Sequence, residues 1–315
     1  MNKTIKKLIT VSALTTAGIH VANRIIEHSA TQKNLLTIKN GHYFNWKYGR
    51  IFYTKEGKGE PLILIHDLSP DSSGYEWNKI IHSLSKNYTV YTLDLLGCGR
   101  SEKPAMNYTS YIYVQMINDF IKRIIRNKAI VASTGFSSTF TVMASFLAPE
   151  NYHRIILVNP VSPEEFDRLP QESKSVMKRI FELPVFGTYL YNICMRKNSL
   201  YQEFIDSSCA KEYCSISDFK DAYYEGAHLH GGNGRFLYAS LWDEYLNVNV
   251  RKGIMENQVP ILIMESSHIS QDENLYEQYH FYNENITGVV IPHTKCLPQI
   301  EEPRRTADEI IKFAM

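Results

Sequence analysis

The sequence predicts an α/β fold: a mostly parallel central sheet flanked by helices, interrupted by a helical insertion after the sixth strand. Three observations predict it. Continuous apolar runs of strand length recur at Pro61–Ile65, Ala129–Ala132 and Arg154–Val158, and runs without polar alternation belong to strands covered on both faces. Helix-length segments alternate with them at the spacing of βαβ units. Between Pro160 and Val259 that rhythm stops, and it resumes at Val259–Met264 and Gly288–Pro292.

Taken in order, Asn40–Tyr53 is aromatic and alternating, the pattern of a hairpin turning at Gly49. Gly57-Lys58-Gly59 makes a second turn, and Pro61–Ile65 is a central strand ending at His66-Asp67. Trp77–Leu84 reads as a helix, and Tyr88–Leu95 as the next strand, which empties into Gly97-Cys98-Gly99-Arg100-Ser101. Tyr111–Arg126 has the period of a long amphipathic helix. The segment 161–256 is aromatic and helical, broken at Gly231-Gly232-Asn233-Gly234, and Arg304–Phe313 closes the chain as a helix. These readings divide the chain into an N-terminal apolar segment (1–28), a core (29–160), the insertion (161–256) and the rest of the core (257–315).

Composition bounds the function. At 315 residues with 44% apolar and 21% charged residues, the chain can bury a large core. A net charge of +1 speaks for no nucleic-acid or acidic polymer partner. The five cysteines (Cys98, Cys194, Cys209, Cys214, Cys296) are odd in number and lack C-x-x-C spacing, so they call for neither a disulfide framework nor zinc. There is no glycine-rich phosphate loop, and no cofactor is expected. At the N-terminus, Lys3, Lys6 and Lys7 precede the uncharged Leu8–Ala22, as in a signal-anchor. The run is short for a spanning helix and carries Thr10, Ser12, Thr15, Thr16 and His20. No A-x-A-like cleavage site stands out, so it reads as an uncleaved membrane anchor on an otherwise cytoplasmic protein. Its apolar residues spread around the helix too widely for one surface-lying stripe.

The chemistry centres on Lys128–Phe140, K-A-I-V-A-S-T-G-F-S-S-T-F. A buried strand runs into small residues and then a helix, the layout of a nucleophile elbow. Such a turn carries Ser, Cys or Asp at its apex. Here the count places Gly135 there, with Ser133 and Ser137 as the small flanking residues. Shifted registers would put Ser137, Ser133 or Thr134 at the apex, and only Ser137 then has small residues on both sides. Otherwise these hydroxyls cap the helix and turn the chain.

With Leu62–His66, Tyr75-Glu76-Trp77, Asp94–Ser101, Val259-Pro260 and Leu297–Pro303 in this order, the chain from about Asn40 onward resembles the α/β-hydrolase superfamily in its helically capped form. That resemblance implies ester- or amide-cleaving serine hydrolases, with a nucleophile at the elbow, an acid after a late strand and a histidine near the end. Carried onto this chain, those positions are Gly135, Ile269 (within His268-Ile269-Ser270) and Cys296. His293 is the nearest replacement for the base, with His268 a further one. Glu265 and Asp272 are the nearest acids. The oxyanion and cleft positions fall on His66, Asp67, Leu68 and Phe136, with Asp67 where the family has glycine. A carboxylate aimed at a developing oxyanion raises the barrier unless it turns away.

Four simultaneous departures point to a hydrolase fold without hydrolase chemistry. The expectation is a capped cleft that binds a small apolar or ester-like ligand; the alternative is an active hydrolase with a shifted site on Ser137 or Ser133 and His293. His228-Leu229-His230 has the spacing of two metal ligands but lacks an evident third, so no metal is expected.

Overall fold

A computed structural model of the chain describes residues 3–38, 41–165, 175–208, 217–272 and 274–315. Eight strands form one sheet in the order β1-β2-β4-β3-β5-β6-β7-β8. They are β1 (His42–Trp46), β2 (Gly49–Glu56), β3 (Glu60–Ile65), β4 (Tyr88–Leu93), β5 (Ala129–Thr134), β6 (Tyr152–Val158), β7 (Ile261–Ser266) and β8 (Thr287–Ile291). β1 and β2 form the expected hairpin, turning at Lys47-Tyr48 with Gly49 opposite Trp46. β2 runs antiparallel to β4, and every later pairing is parallel. This is the mostly parallel α/β sheet that the sequence predicts.

The apolar runs face two ways. Ile63, Ile65, Val131, Ile155, Leu157 and Ile263 pack into one core with residues of α3 (Ser110–Phe120) and α4 (Ser137–Leu147). Their neighbours Leu62, Leu64, Ile130, Ala132, Ile156, Val158 and Met264 pack on the other face with α2 (Asn78–Leu84) and the closing helix Pro303–Ala314. Because successive side chains alternate across a strand, a strand with helices on both faces must be apolar throughout.

Several boundaries differ from expectation. β7 begins at Ile261, after Pro260, and continues to Ser266, which draws Glu265 into the strand. A 3-10 turn, Gly74–Trp77, precedes α2. After Phe120 the long helix widens into a π turn, Ile121–Ile125, that ends on Arg126 at φ +60. Inter-turn bonding of that kind leaves no mark in an apolar period.

Between β6 and β7 the described residues form α5 (Ser175–Glu182), α6 (Phe186–Cys194), α7 (Lys197–Ser208), α8 (Ser217–His228), α9 (Arg235–Trp242) and α10 (Arg251–Met255). Phe181, Tyr191, Met195, Leu200, Ala227 and Ala239 give this insertion its own core. Cys209 and Cys214 lie outside the described residues. Lys3–Thr31 is one helix of 29 residues, α1, whose C-terminal third rests on α6 and α8. Asn23 donates to the Val185 carbonyl at 3.0 Å and accepts from Asn192 at 3.0 Å, and Glu225 accepts from the Leu35 N–H at 2.8 Å. Among the described residues no helix is long and apolar enough to cross a membrane.

Candidate functional site

In a parallel sheet the C-terminal strand ends line up, and their loops share one crevice. The adjacent strands β3 and β5 accordingly bring the His66-Asp67 loop against the turn after Thr134. That turn is the elbow. Gly135 is its apex at φ +51, between the last residue of β5 and the Phe136-Ser137 start of α4. Left-handed backbone of this kind suits glycine and strains any other L residue.

The place of the missing side chain is filled. A Cβ built on Gly135 would stand 2.5 Å from both Cγ and Oδ1 of Asp67 and 2.6 Å from its Oδ2. Asp67 Oδ1 accepts the Phe136 N–H at 2.7 Å and the Leu68 N–H at 2.8 Å. Phe136 follows the apex, and Leu68 lies on the loop after β3, so these are the donors that an oxyanion hole uses. The Asp67 carboxylate does not turn away; it lies on them. Burial pushes its pKa up, against the pull of the two N–H donors.

A second carboxyl group lies beneath. Glu76, fully buried, accepts from Thr134 Oγ1 at 2.6 Å and Gln299 Nε2 at 2.8 Å, and at longer range from Tyr223 OH (3.3 Å) and the Asp67 N–H (3.4 Å). Burial raises its pKa to about 7; the Thr134 hydroxyl opposes the shift and neighbouring Asp67 adds to it. The sequence reading missed Glu76 as a site residue. Its partners sit at positions 67, 134, 223 and 299, so no local pattern marks it as buried.

These groups border a cavity of about 310 Å³, whose wall includes Asp67, Asp71, Glu76, Gly135, Ile269 and Cys296, with Leu200 and Tyr223 contributed by the insertion. Gly135, Ile269 and Cys296 thus line the same cavity. Asn159, at φ +43 after β6, donates to the Cys296 carbonyl at 2.8 Å and to Ser266 Oγ at 2.8 Å. Glu301 accepts from the Lys295 N–H at 2.9 Å, which sets the same loop. Asp71 also has a raised pKa from burial, and Ser69 Oγ donates to it.

Other candidates are not brought together. The Ser133 and Ser137 hydroxyls are buried without a hydrogen-bond partner, and neither residue borders the cavity. His293 is exposed on the turn after β8 at φ +60, and His268 is exposed on α11 (Ser267–Asp272). Among the described residues the cavity wall contains no histidine. Glu265 does not face the site: its Oε1 accepts the Tyr276 N–H at 3.1 Å, at the start of α12 (Leu275–Tyr282). The Asp272 side chain is outside the description. His66 is held by backbone on both nitrogens, Nδ1 donating to the Asp67 carbonyl at 2.6 Å and Nε2 accepting from the Leu95 N–H at 2.9 Å. Burial lowers its pKa to about 4, so it is a neutral brace. His228 Nδ1 is turned to the Tyr224 carbonyl at 2.8 Å, and among the described residues no three His, Cys, Asp or Glu side chains form a metal site.

Residues 60–303 match the family described as alpha/beta hydrolase fold. A soluble epoxide hydrolase of Corynebacterium sp. (strain C12) is 22% identical over 84% of this chain and 93% of its own length. A 2-hydroxy-6-oxo-6-(2'-aminophenyl)hexa-2,4-dienoic acid hydrolase of Metapseudomonas resinovorans is 39% identical, over 22% of this chain and only 24% of that enzyme. Among solved structures, a meta-cleavage product hydrolase from Pseudomonas fluorescens superimposes with a TM-score of 0.70 at 18% identity, covering 88% of this chain and 98% of the other. A serine hydrolase involved in carbazole degradation gives 0.69 at 19% identity, covering 87% and 98%. Strand order, elbow and matched span agree: the chain belongs to the alpha/beta hydrolase fold family, and these relatives are hydrolases.

Proposed function

We propose that this protein uses the hydrolase crevice to bind a small molecule without hydrolysing it. The observation that carries the reading is the Asp67 carboxylate at the elbow. It fills the space of a nucleophile's side chain and accepts the N–H groups of Phe136 and Leu68. An oxyanion hole accelerates acyl transfer by being open to the charge that develops in the transition state; here the Asp67 side chain already occupies the donors. Gly135 has no nucleophilic atom, and a thiol at the position of the catalytic histidine is a weak base at neutral pH.

The wall also suggests the ligand class. Asp67, Asp71 and Glu76, with the hydroxyl-bearing Ser69, Ser72 and Tyr223, offer several hydrogen-bond acceptors, and a cation placed among the three carboxyl groups would favour their ionised forms against the burial that raises their pKa values. They suit a small amine or other donor-rich cation better than the apolar or ester-like occupant that the family resemblance implies. Fluorophosphonate labelling and p-nitrophenyl acetate turnover test the first part. We expect neither above background. Thermal shift with a panel of amines, spermidine included, against matched esters tests the second, and we expect the amines alone to raise Tm. Serine labelling that disappears in Ser137→Ala or Ser133→Ala would overturn the reading in favour of a shifted serine hydrolase.

A further inference from the structure

We infer that the N-terminal two thirds of α1 seats in an anionic lipid bilayer, at the depth of the headgroup–acyl boundary. The helix has 29 residues, about 43 Å at 1.5 Å per residue. Its C-terminal third is tied down through Asn23 and the buried Ala30, while the residues before it project from the fold. On that projecting part Ile5, Leu8, Ile9, Val11, Leu14 and Val21 are exposed, Leu8 by 71% and Leu14 by 68%. This is a large apolar surface to leave in water.

The arrangement selects the occupant. A protein groove, or a second copy of the helix, covers one stripe, but these residues point to several sides of α1. Lipid acyl chains solvate a helix from its flanks as well as beneath. The charge agrees: Lys3, Lys6 and Lys7 crowd the N-terminal end, and the helix carries no acidic residue before Glu27. Lysine stems can lie along acyl chains while their ammonium groups reach lipid phosphates. The threonines within the stretch are also compatible, because Thr10, Thr15 and Thr16 each donate to the carbonyl four residues back at 2.9 Å, the way hydroxyls are satisfied where water is absent. No described helix is long and apolar enough to cross a membrane, so we place α1 at the boundary without spanning. Because its apolar residues form no single surface-lying stripe, it is seated with its flanks among the acyl chains and not flat on the headgroups. Through Asn23 and Asn192 it holds the insertion that roofs the cavity against that surface.

Flotation of the full-length protein with extruded phosphatidylcholine vesicles, with and without phosphatidylglycerol, tests this. We expect binding to the phosphatidylglycerol vesicles that weakens with added salt. Lys3→Gln, Lys6→Gln and Lys7→Gln should each lower apparent affinity about fivefold, the worth of one cation at an anionic surface. Leu8→Glu with Leu14→Glu should abolish flotation while leaving Tm unchanged, because both side chains stand in solvent in the free protein. Failure to float, or flotation indifferent to these substitutions, overturns the proposal. So does sedimentation showing a lipid-free dimer that Leu14→Glu dissolves while wild type ignores vesicles; that result would assign α1 to a second copy of the chain.

Discussion

If the Asp67 carboxylate occupies the apex of the elbow, then residues 67 and 135 compete for one volume, and their substitutions cannot be additive. Gly135→Ala must place a methyl group 2.5 Å from Asp67 Cγ on backbone at φ +51. The left-handed conformation costs roughly 1–2 kcal/mol for a residue with a Cβ. The overlap costs about 1–3 kcal/mol more, as overpacking does elsewhere. A displaced carboxylate also weakens its bonds to the Phe136 and Leu68 N–H groups. Gly135→Ala alone should therefore destabilise the protein by about 2–5 kcal/mol. Asp67→Gly alone leaves those two donors without their acceptor, at about 1–3 kcal/mol. In the double variant the overlap is gone and only backbone strain is added, so the pair should be less damaging than the sum by about 2 kcal/mol. Urea unfolding at constant m measures each corner of the cycle. A coupling below about 0.5 kcal/mol, the usual scatter for independent sites, would refute the placement of Asp67 at the apex.

Further outcomes follow from the same geometry. Asp67→Gly with Gly135→Ser and Cys296→His should acquire fluorophosphonate labelling at the introduced serine, whereas the same variant without Cys296→His should stay unlabelled; equal labelling of both would show that position 296 does not supply the base. Glu76 rises from 4.5 to about 7 on folding, so it binds a proton in the folded state where the unfolded chain has lost one. Its stabilising contribution is full below pH 4.5 and lost as pH rises to about 7, by up to about 3 kcal/mol. Tm should therefore fall over that window, and Glu76→Gln should flatten the fall. Arg100 makes a two-pronged ion pair with buried Asp94, at 2.6 Å and 2.7 Å, so Arg100→Ala should cost about 3–5 kcal/mol in urea unfolding by stranding the carboxylate. Asn23→Ala removes the bonds to Val185 and Asn192, and trypsin should then cut after Arg24 severalfold faster without a matching loss of Tm.

How far the sequence reveals this molecule depends on the range of the interactions involved. The central strands are legible because burial on both faces makes Leu62–Ile65 and Ile155–Val158 uniformly apolar, a signal carried by consecutive residues. The elbow is legible for the same reason, since Gly135 and the small residues around it form one continuous segment. Counting along that segment and along Lys295–Glu301 singles out Gly135 and Cys296, and the fold brings both to the lining of one cavity. Side-chain direction is not legible. Nothing in His66-Asp67-Leu68 says whether the carboxylate enters the crevice or leaves it, because the deciding partner is the Phe136 N–H on another strand's loop. Glu76 escapes a sequence reading on the same ground, and so does the acceptor role of Glu265 at the start of α12, which depends on a helix ten residues downstream.

The separate departures at the site fit one another physically. With Asp67 on the oxyanion donors, a substrate carbonyl would have to displace an ion already satisfied by two N–H groups, and would gain little from doing so. A histidine at position 296 would face Asp67 and Glu76 in place of a serine hydroxyl. Ionised carboxyl groups lining the same cavity would favour imidazolium, which cannot act as a base. Glycine at 135 is then the residue that fits, because any Cβ would collide with Asp67. Each change removes the advantage of keeping the others. On the reading proposed above, a single side chain at position 67 accounts for the departures at 135 and 296 together, because it fills the apex of the elbow and takes the Phe136 and Leu68 N–H groups.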